Sequence, residues 1–254
     1  MNERWYCSYR CFVSTAEERF AQLLAHAYSE SNHVSRRPIG LLVLRRGWLS
    51  EEQFRIATEE QRQTDNEMGE VLVRLGFLSE AQVATVRAAQ RGCPVFSTPG
   101  TALPVAVCLP PTLMNCYCMV PVHYVAATKQ LLVGFVHAIK YGPLYGVEQV
   151  ATCKAQPCFI TAADFRTQLE AQAQQATPEE LNFDDIQSAT EMGRILCSYG
   201  VLTRADRVAI ARCNEYLWAR LKGASKTVDL LFKTKSGLRP ALSLPSWESL
   251  GLQG

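Results

Sequence analysis

A helical phrase that occurs twice in succession constrains the fold of this chain more than any other feature. RRPIGLLVLRRGWLSEEQFRIATEEQ occupies residues 36–61, and NEMGEVLVRLGFLSEAQVATVRAAQ occupies residues 66–90. The aligned pairs, at one offset of 29 residues, are Gly40 and Gly69, Gly47 and Gly76, Leu49 and Leu78, Ser50 and Ser79, Glu51 and Glu80, Gln53 and Gln82, and Gln61 and Gln90. A duplicated unit of this kind is expected to fold twice into the same local structure.

Each copy predicts a helical hairpin. A short helix, LLVLRR or EVLVRL, is followed by a glycine that can end it in a left-handed conformation. Ser50 or Ser79 then caps a second, longer helix. Two such hairpins are expected to stack into a compact four-helix unit, because each must bury its apolar face against another element.

Composition places the chain among ordinary globular proteins. It has 254 residues, of which 48% are hydrophobic and 20% charged, and its formal net charge of +2 does not indicate a nucleic-acid partner. The longest apolar run, LLVGFVHAI, is too short to cross a bilayer, and the charged N-terminus is unlike a signal peptide. We therefore expect a cytoplasmic protein without membrane insertion, whose ten cysteines are reduced thiols.

The pattern along the chain predicts an α+β protein. The N-terminal helical repeat, two helical hairpins, would pack with a small α/β module and be followed by a small domain with a helix and an antiparallel sheet. The predicted divisions are residues 1–35 (an amphipathic helix and a linker), 36–92 (the duplicated helical motif), 93–175 (the α/β module), 184–235 (the helix-plus-strands domain) and 236–254 (a flexible tail).

Periodicity assigns elements to the last two folded divisions. In residues 93–175, CMVPVHYV, QLLVGFVH and PCFI predict strands, VEQVA and AADFRTQLEAQAQQA predict helices, and the proline-rich PGTALP and LPPTL predict loops. In residues 184–235, DDIQSATEMGRILCSYG predicts a helix, and RVAIAR, YLWARLKG and TVDLLFK predict strands. Trp218 in YLWARLKG is expected either in the core or on a docking surface.

The doubled pattern, in which Gly, Gly, an apolar residue and Gln follow one another with six residues between them, resembles a known family. It is similar to the cyclic di-GMP-binding N-terminal domain of type II secretion and type IV pilus assembly ATPases. The similarity continues through RGCPVF, CLPPTLMNCYCMVPVHY and LLVGF, and covers about residues 36–172. The stretch from ATEMGRIL to VDLLF resembles the small helix-plus-sheet domain that precedes the motor of these ATPases, with Asp229 as a loose counterpart of an Asp-Gly pair.

The resemblance implies a set of binding residues. Members of the family open each copy with Arg-Leu-Gly and complete the ligand surface with two apolar helix positions and a glutamine. The residues that would bind cyclic di-GMP in this chain are Arg37, Ile39, Gly40, Phe54, Gln61, Met68, Gly69, Val83 and Gln90.

This chain departs from the family at the positions that carry charge. Pro38 and Glu67 stand where the arginines are expected, and Thr58 and Arg87 replace leucines. Arg37, one residue before the motif, is the candidate substitute. A carboxylate at position 67 would repel a dianionic ligand. The resemblance therefore implies a conserved scaffold with a partly rewritten ligand surface.

Two interpretations of the repeat remain open. A helix N-terminus that follows a glycine exposes backbone N–H groups and a partial positive charge, so two copies would suit a ligand with two phosphates. Alternatively, Gly47 and Gly76 only end helices, Phe54 and Val83 belong to the core, and the glutamines are surface residues.

Catalytic motifs find little support in the sequence. GASKT at residues 223–227 lacks a glycine that a phosphate-binding loop requires, and it falls in a predicted hairpin turn. Cys116, Cys118 and His123 allow a zinc or thiol site, but their spacing is unlike that of structural zinc sites, and buried thiols are the simpler interpretation. His123 and His137 are expected to be partly buried packing residues.

These patterns predict a non-catalytic cytoplasmic adaptor or sensor that requires no cofactor. Its expected partner is a protein of the secretion or pilus machinery, and cyclic di-GMP would be a weakened or lost ligand. The first alternative is a true cyclic di-GMP receptor that uses Arg36 and Arg37. The second is a thiol- or metal-dependent enzyme around Cys116, Cys118 and His123.

Overall fold

The computed structural model describes residues 9–25, 38–64, 66–97, 100, 102–175, 177–186 and 188–234. Arg36, Arg37, the predicted linker and the predicted tail lie outside these residues. The helices are α1 (Tyr9–Ala25), α2 (Ile39–Arg45), α3 (Glu51–Thr64), α4 (Met68–Arg74), α5 (Glu80–Arg91), α6 (Pro111–Tyr117), α7 (Tyr141–Ala151), α8 (Ala162–Ala173) and α9 (Ala189–Leu202). The strands are β1 (Met119–Val125), β2 (Gln130–Phe135), β3 (Lys154–Phe159), β4 (Glu179–Phe183), β5 (Ala205–Cys213), β6 (Tyr216–Gly223) and β7 (Thr227–Lys233). The prediction of an α+β fold is confirmed.

Helices α2 to α5 form the predicted pair of hairpins. Gly47 and Gly76 adopt φ angles of +67° and +70°, which only glycine reaches without strain, so each reverses the chain after a short helix. Ser79 and Gln82 form a reciprocal capping box at the start of α5, and Ser50 forms the same pair of bonds at the start of α3. The apolar core of this unit is Val43, Leu49, Ala57, Val71, Leu72, Leu78, Val83 and Val86.

The α/β module is built on a sheet with the strand order β1-β2-β3. Strands β1 and β2 are antiparallel, and β3 returns parallel to β2 after helix α7. Two helices differ from the sequence prediction. The LPPTL segment is the start of α6 instead of a loop, because Pro111 occupies the first turn, where proline costs no hydrogen bond. Helix α7 begins at Tyr141, well before the predicted VEQVA segment.

The second sheet has the strand order β4-β7-β6-β5. Strands β5, β6 and β7 are antiparallel neighbours, as predicted, and the GASKT segment lies at the turn between β6 and β7. Strand β4 was not expected. It lies before the predicted boundary at residue 184 and pairs parallel to β7 at the edge of the sheet. Its polar sequence EELNF carries little signal on its own, because the pairing partner supplies most of its order.

Apolar residues cover both faces of the second sheet. On one face, α1 and α9 pack together, and Phe20 of α1 contacts Phe232 edge to face at 5.4 Å between ring centroids. On the other face, Trp218 and Leu231 join the core of the α/β module. The amphipathic N-terminal helix thus finds its partner surface in the last folded division of the chain. Every helix in the described part of the chain is too short or too polar to cross a membrane.

A buried ion pair holds this sheet to the α/β module. The Arg220 guanidinium donates to both oxygens of Asp229, at 2.8 and 2.7 Å, and to the carbonyls of Ala106 and Cys108 at 3.1 and 2.8 Å. The Trp218 Nε1–H also donates to the Asp229 carboxylate at 2.8 Å. Trp218 is therefore a core residue and not a docking surface.

Substituting Asp229→Ala is expected to lower the free energy of unfolding by about 3–5 kcal/mol, because it leaves the buried Arg220 charge without a counter-charge. Chemical denaturation followed by circular dichroism measures the loss. The control is Glu179→Ala, which removes the acid of an exposed ion pair with Lys226 on the same sheet and should cost no more than about 1 kcal/mol. Equal losses in the two variants would contradict a special role for Asp229.

Candidate functional site

A small pocket lies where the two copies of the repeat meet the α/β module. Its volume is about 220 Å³, and its lining residues are Ile39, Gln61, Glu67, Met68, Arg87, Gln90, Arg91, His137, Ala138 and Phe159. Ile39 and Met68 occupy equivalent positions in the two copies, and so do Gln61 and Gln90. Four of the residues that the family resemblance singled out therefore converge on one pocket, two from each copy.

The other singled-out residues in the described part of the chain set the spacing between helices. A Cβ atom on Gly40 would lie 2.2 Å from Cε2 of Phe54, and one on Gly69 would lie 2.8 Å from Cγ1 of Val83. In each copy the short helix thus approaches the long one as closely as glycine allows. None of these four residues lines the pocket. Arg37 lies outside the described residues.

The pocket faces the beginnings of the short helices and the last turns of the long ones. The starts of the long helices are elsewhere, and their side-chain caps already occupy the backbone N–H groups of Gln53 and Gln82. The pocket therefore does not lie at the two helix N-termini on which the phosphate interpretation placed a ligand. Gln61 has a local contact as well, since its Nε2 donates to the carbonyl of Asn66 at 3.1 Å.

The two departures from the family pattern in the second copy contact each other. Arg87 Nη2 donates to Glu67 Oε2 at 2.8 Å, and Arg87 Nη1 donates to the carbonyl of Val136 at 2.6 Å. The Arg87 side chain is 7% exposed and the Glu67 side chain 37% exposed. A guanidinium is thus present in the pocket, but it comes from the long helix and is neutralised by the carboxylate that stands where the family has arginine.

His137 and Glu70 are two further ionisable residues next to the pair of Arg87 and Glu67. Nδ1 of His137 lies 3.1 Å from Oε1 of Glu70, although it makes no aligned hydrogen bond. Contacts with the Cys118 thiol and the Glu70 carboxylate raise the pKa of His137 to about 9. The same contact with His137 lowers the pKa of Glu70. Sequence analysis missed both His137 and Arg87 as pocket residues, because their partners lie far away along the chain.

The cysteine and histidine cluster considered from the sequence is not assembled. His123 is exposed, contrary to the prediction of a partly buried residue, and its ring stacks on Phe96 with the centroids 6.0 Å apart. Burial raises the pKa of the Cys116 thiol, so this thiol is protonated at neutral pH. Among the described residues, the group that could hold a metal ion is instead Glu67, Glu70 and His137.

Comparison with known proteins returned structures but no sequence families. No family model matches the chain, and no curated protein matches it. A solved structure described as MshE with cdg is 20% identical over 53% of this chain and 98% of its own, with a TM-score of 0.45. The N-terminal domain of XpsE is 16% identical over 53% of this chain and 92% of its own, with a TM-score of 0.42. Each of these solved structures is similar to this chain over about half of its length.

Gly40→Ala is expected to destabilise the protein by about 1–3 kcal/mol, because its Cβ would overlap the Phe54 ring. Adding Phe54→Val, the residue of the second copy at the equivalent position, should make room and reduce the cost of Gly40→Ala. A double-mutant cycle on denaturation free energies measures this coupling. Additive losses would show that the close contact between these residues does not set the helix spacing.

The His137 imidazole is expected to titrate near pH 9, followed by NMR, and Glu70→Gln should lower its pKa. Because the folded pKa exceeds the unfolded value of 6.5, the stabilisation that His137 contributes is complete below pH 6.5. It is lost as the pH rises through about 9. Titration at the unfolded value would contradict the contact with Glu70 and Cys118.

Proposed function

We propose that this chain is a non-catalytic cytoplasmic adaptor or sensor whose duplicated helical unit holds a cyclic dinucleotide of the cyclic di-GMP class with weakened affinity. The observation that carries the proposal is the convergence of Ile39 with Met68, and of Gln61 with Gln90, on one pocket. Equivalent residues from two copies present two similar half-sites. A cyclic dinucleotide, which also consists of two equivalent halves, fits such a surface better than an asymmetric ligand does. The ligand class itself is the one implied by the sequence resemblance.

The electrostatics of the pocket explain why the affinity would be weak. A cyclic dinucleotide carries two phosphate charges, and the Glu67 carboxylate in the lining repels them. The Arg87 guanidinium in the same lining is already paired with Glu67, so the ligand would have to compete for it. Arg91 is the other arginine among the lining residues.

The small volume of the pocket is a second reason to expect weak binding of the dinucleotide. Pockets that enclose small molecules usually measure about 300–1,000 Å³, and this one measures about 220 Å³. It would enclose only part of a dinucleotide, and the rest would lie on the surface of the repeat. Less of the ligand would be buried than in a fully formed site, which reduces the free energy of binding.

The adaptor role rests on the surface of the repeat. Leu41 on α2 and Ile56 on α3 are 47% and 39% exposed, so both short and long helices offer apolar side chains to a partner. We propose a protein of the secretion or pilus machinery as that partner, following the sequence resemblance. The alternative of a full cyclic di-GMP receptor is favoured by one observation, the presence of Arg87 and Arg91 in the pocket lining.

Calorimetric titration of the purified chain with cyclic di-GMP tests the proposal. The unaltered chain should bind weakly. The double variant Glu67→Arg with Arg87→Leu restores the family pattern and should bind at least about tenfold more tightly, because a repulsive charge becomes an attractive one. Glu67→Arg alone is a poor test, since it would place a second guanidinium against Arg87. Glu67→Gln, which removes only the charge, is a milder second variant.

The matched control is Glu52→Arg with Arg55→Leu, which makes the same charge changes at an exposed pair on α3. It should leave the affinity unchanged. Tight binding by the unaltered chain would make it a full receptor and contradict the weakened site. If the control gained the same affinity, the increase would come from net charge alone and not from position 67. If no variant bound cyclic di-GMP, the nucleotide part of the proposal would be overturned.

A further inference from the structure

Three side chains of the types that bind metal ions lie together at the pocket, and one of them, Glu67, also takes part in the nucleotide proposal. We propose that Glu67, Glu70 and His137 form a site for a divalent cation of the zinc class. Two of the three, Glu67 and His137, line the pocket, so an ion held there would keep one coordination position facing open space. This inference goes beyond the proposed function and is independent of any nucleotide.

The geometry requires only small movements to bind an ion. One ligand atom from each of the three residues lies within 4.8 Å of the other two. Ligands around a tetrahedral zinc ion lie ~3.4 Å apart, since each bond measures about 2.0–2.2 Å. All three side chains are half-buried, and rotation of the two glutamates can close the difference. Glu67 is the N-cap residue of α4 and Glu70 lies in its first turn, so both carboxylates are at the N-terminal end of that helix.

The chemistry of the three groups suits zinc. An imidazole nitrogen and two carboxylate oxygens form a mixed nitrogen and oxygen set, which zinc binds in open sites with three protein ligands. Calcium and magnesium prefer oxygen alone, so the histidine argues against them. Nδ1 of His137 is buried without an aligned hydrogen bond, and a zinc ion bound there would displace the proton that this imidazole carries at neutral pH.

Two carboxylates and one guanidinium lie next to the proposed ion, so the nearby charges on balance favour a cation. Arg87 pairs with one oxygen of Glu67, and a hydrogen bond of that kind commonly orients a carboxylate that also binds a metal. The positive charge of Arg87 offsets one of the two carboxylates. Glu70 supplies a second negative charge directly against His137, at 3.1 Å. A cation bound by all three residues would meet both carboxylates, although Arg87 limits its affinity.

Titration of the chelator-treated chain with zinc chloride, followed by calorimetry, tests the site. The unaltered protein should bind one zinc ion per chain. His137→Ala should weaken binding at least about tenfold, since even the loss of a supporting residue costs 10–100-fold in metal affinity. Glu70→Gln, which keeps the shape of the side chain, should also weaken it and serves if His137→Ala does not fold. The matched control is His123→Ala, which removes an exposed histidine outside the cluster.

Cobalt(II) absorption separates this site from binding by cysteine. The chain has ten cysteines, and thiolate ligands would give cobalt an intense charge-transfer band that nitrogen and oxygen ligands do not. The expected result is a cobalt spectrum without that band, lost in His137→Ala and kept in His123→Ala. Three results would overturn the proposal: no bound zinc in the unaltered chain, unchanged affinity in both His137→Ala and Glu70→Gln, or a thiolate band that survives in His137→Ala.

Discussion

The buried guanidinium of Arg87 is the constraint around which this pocket is organised. The Arg87 side chain is 7% exposed, and a charge in that position is stable only if it is paired and fully hydrogen-bonded. Glu67 supplies the counter-charge from α4, and the carbonyl of Val136 supplies an acceptor from the end of β2. The Arg87 side chain therefore ties the second copy of the repeat to the α/β module. Replacing one partner without the other would leave an unsatisfied charge, which explains why the two departures from the family pattern occur together.

A second buried arginine, Arg220, lies at the junction between the α/β module and the second sheet. Arg220 pairs with Asp229 and donates to two carbonyls of the segment that precedes α6. Such pairs contribute less to net stability than their Coulomb energy suggests, because both ions lose their hydration. Both junctions of the α/β module, to the repeat and to the second sheet, thus depend on a buried arginine.

These junctions affect how the pocket can function. Under the proposed function, the ion pair between Arg87 and Glu67 also occupies a charge that a phosphate ligand would need, which would lower the affinity for that ligand. The charges of the pocket also suit a cation, because Glu67 and Glu70 lie next to His137. A surface that suits a dianion when it carries arginines suits a cation when it carries glutamates. In the two proposals, the sign of the charge decides which ligand the pocket would favour.

Local sequence signals predicted much of the fold. The hairpins of the repeat were predictable because Gly47, Gly76, Ser50 and Ser79 act on their immediate neighbours, and the strands of both sheets were predictable from apolar runs. Strand β4 and helix α6 were missed for opposite reasons. Strand β4 depends on a partner more than 40 residues away, and α6 begins at a proline that in isolation indicates a loop.

By itself, the sequence determined the duplicated helical unit, the α+β class and part of the pocket, because repeats, caps and periodicity are local properties. Four of the residues singled out from the resemblance line the pocket. Only the tertiary structure decided that Glu67 is paired with Arg87, 20 residues away, and that Arg87 also bonds to Val136, 49 residues away. It also brought His137 to Glu70. The electrostatic character of a pocket depends on which charges the packed chain brings within a few ångströms, and no local pattern encodes that distance.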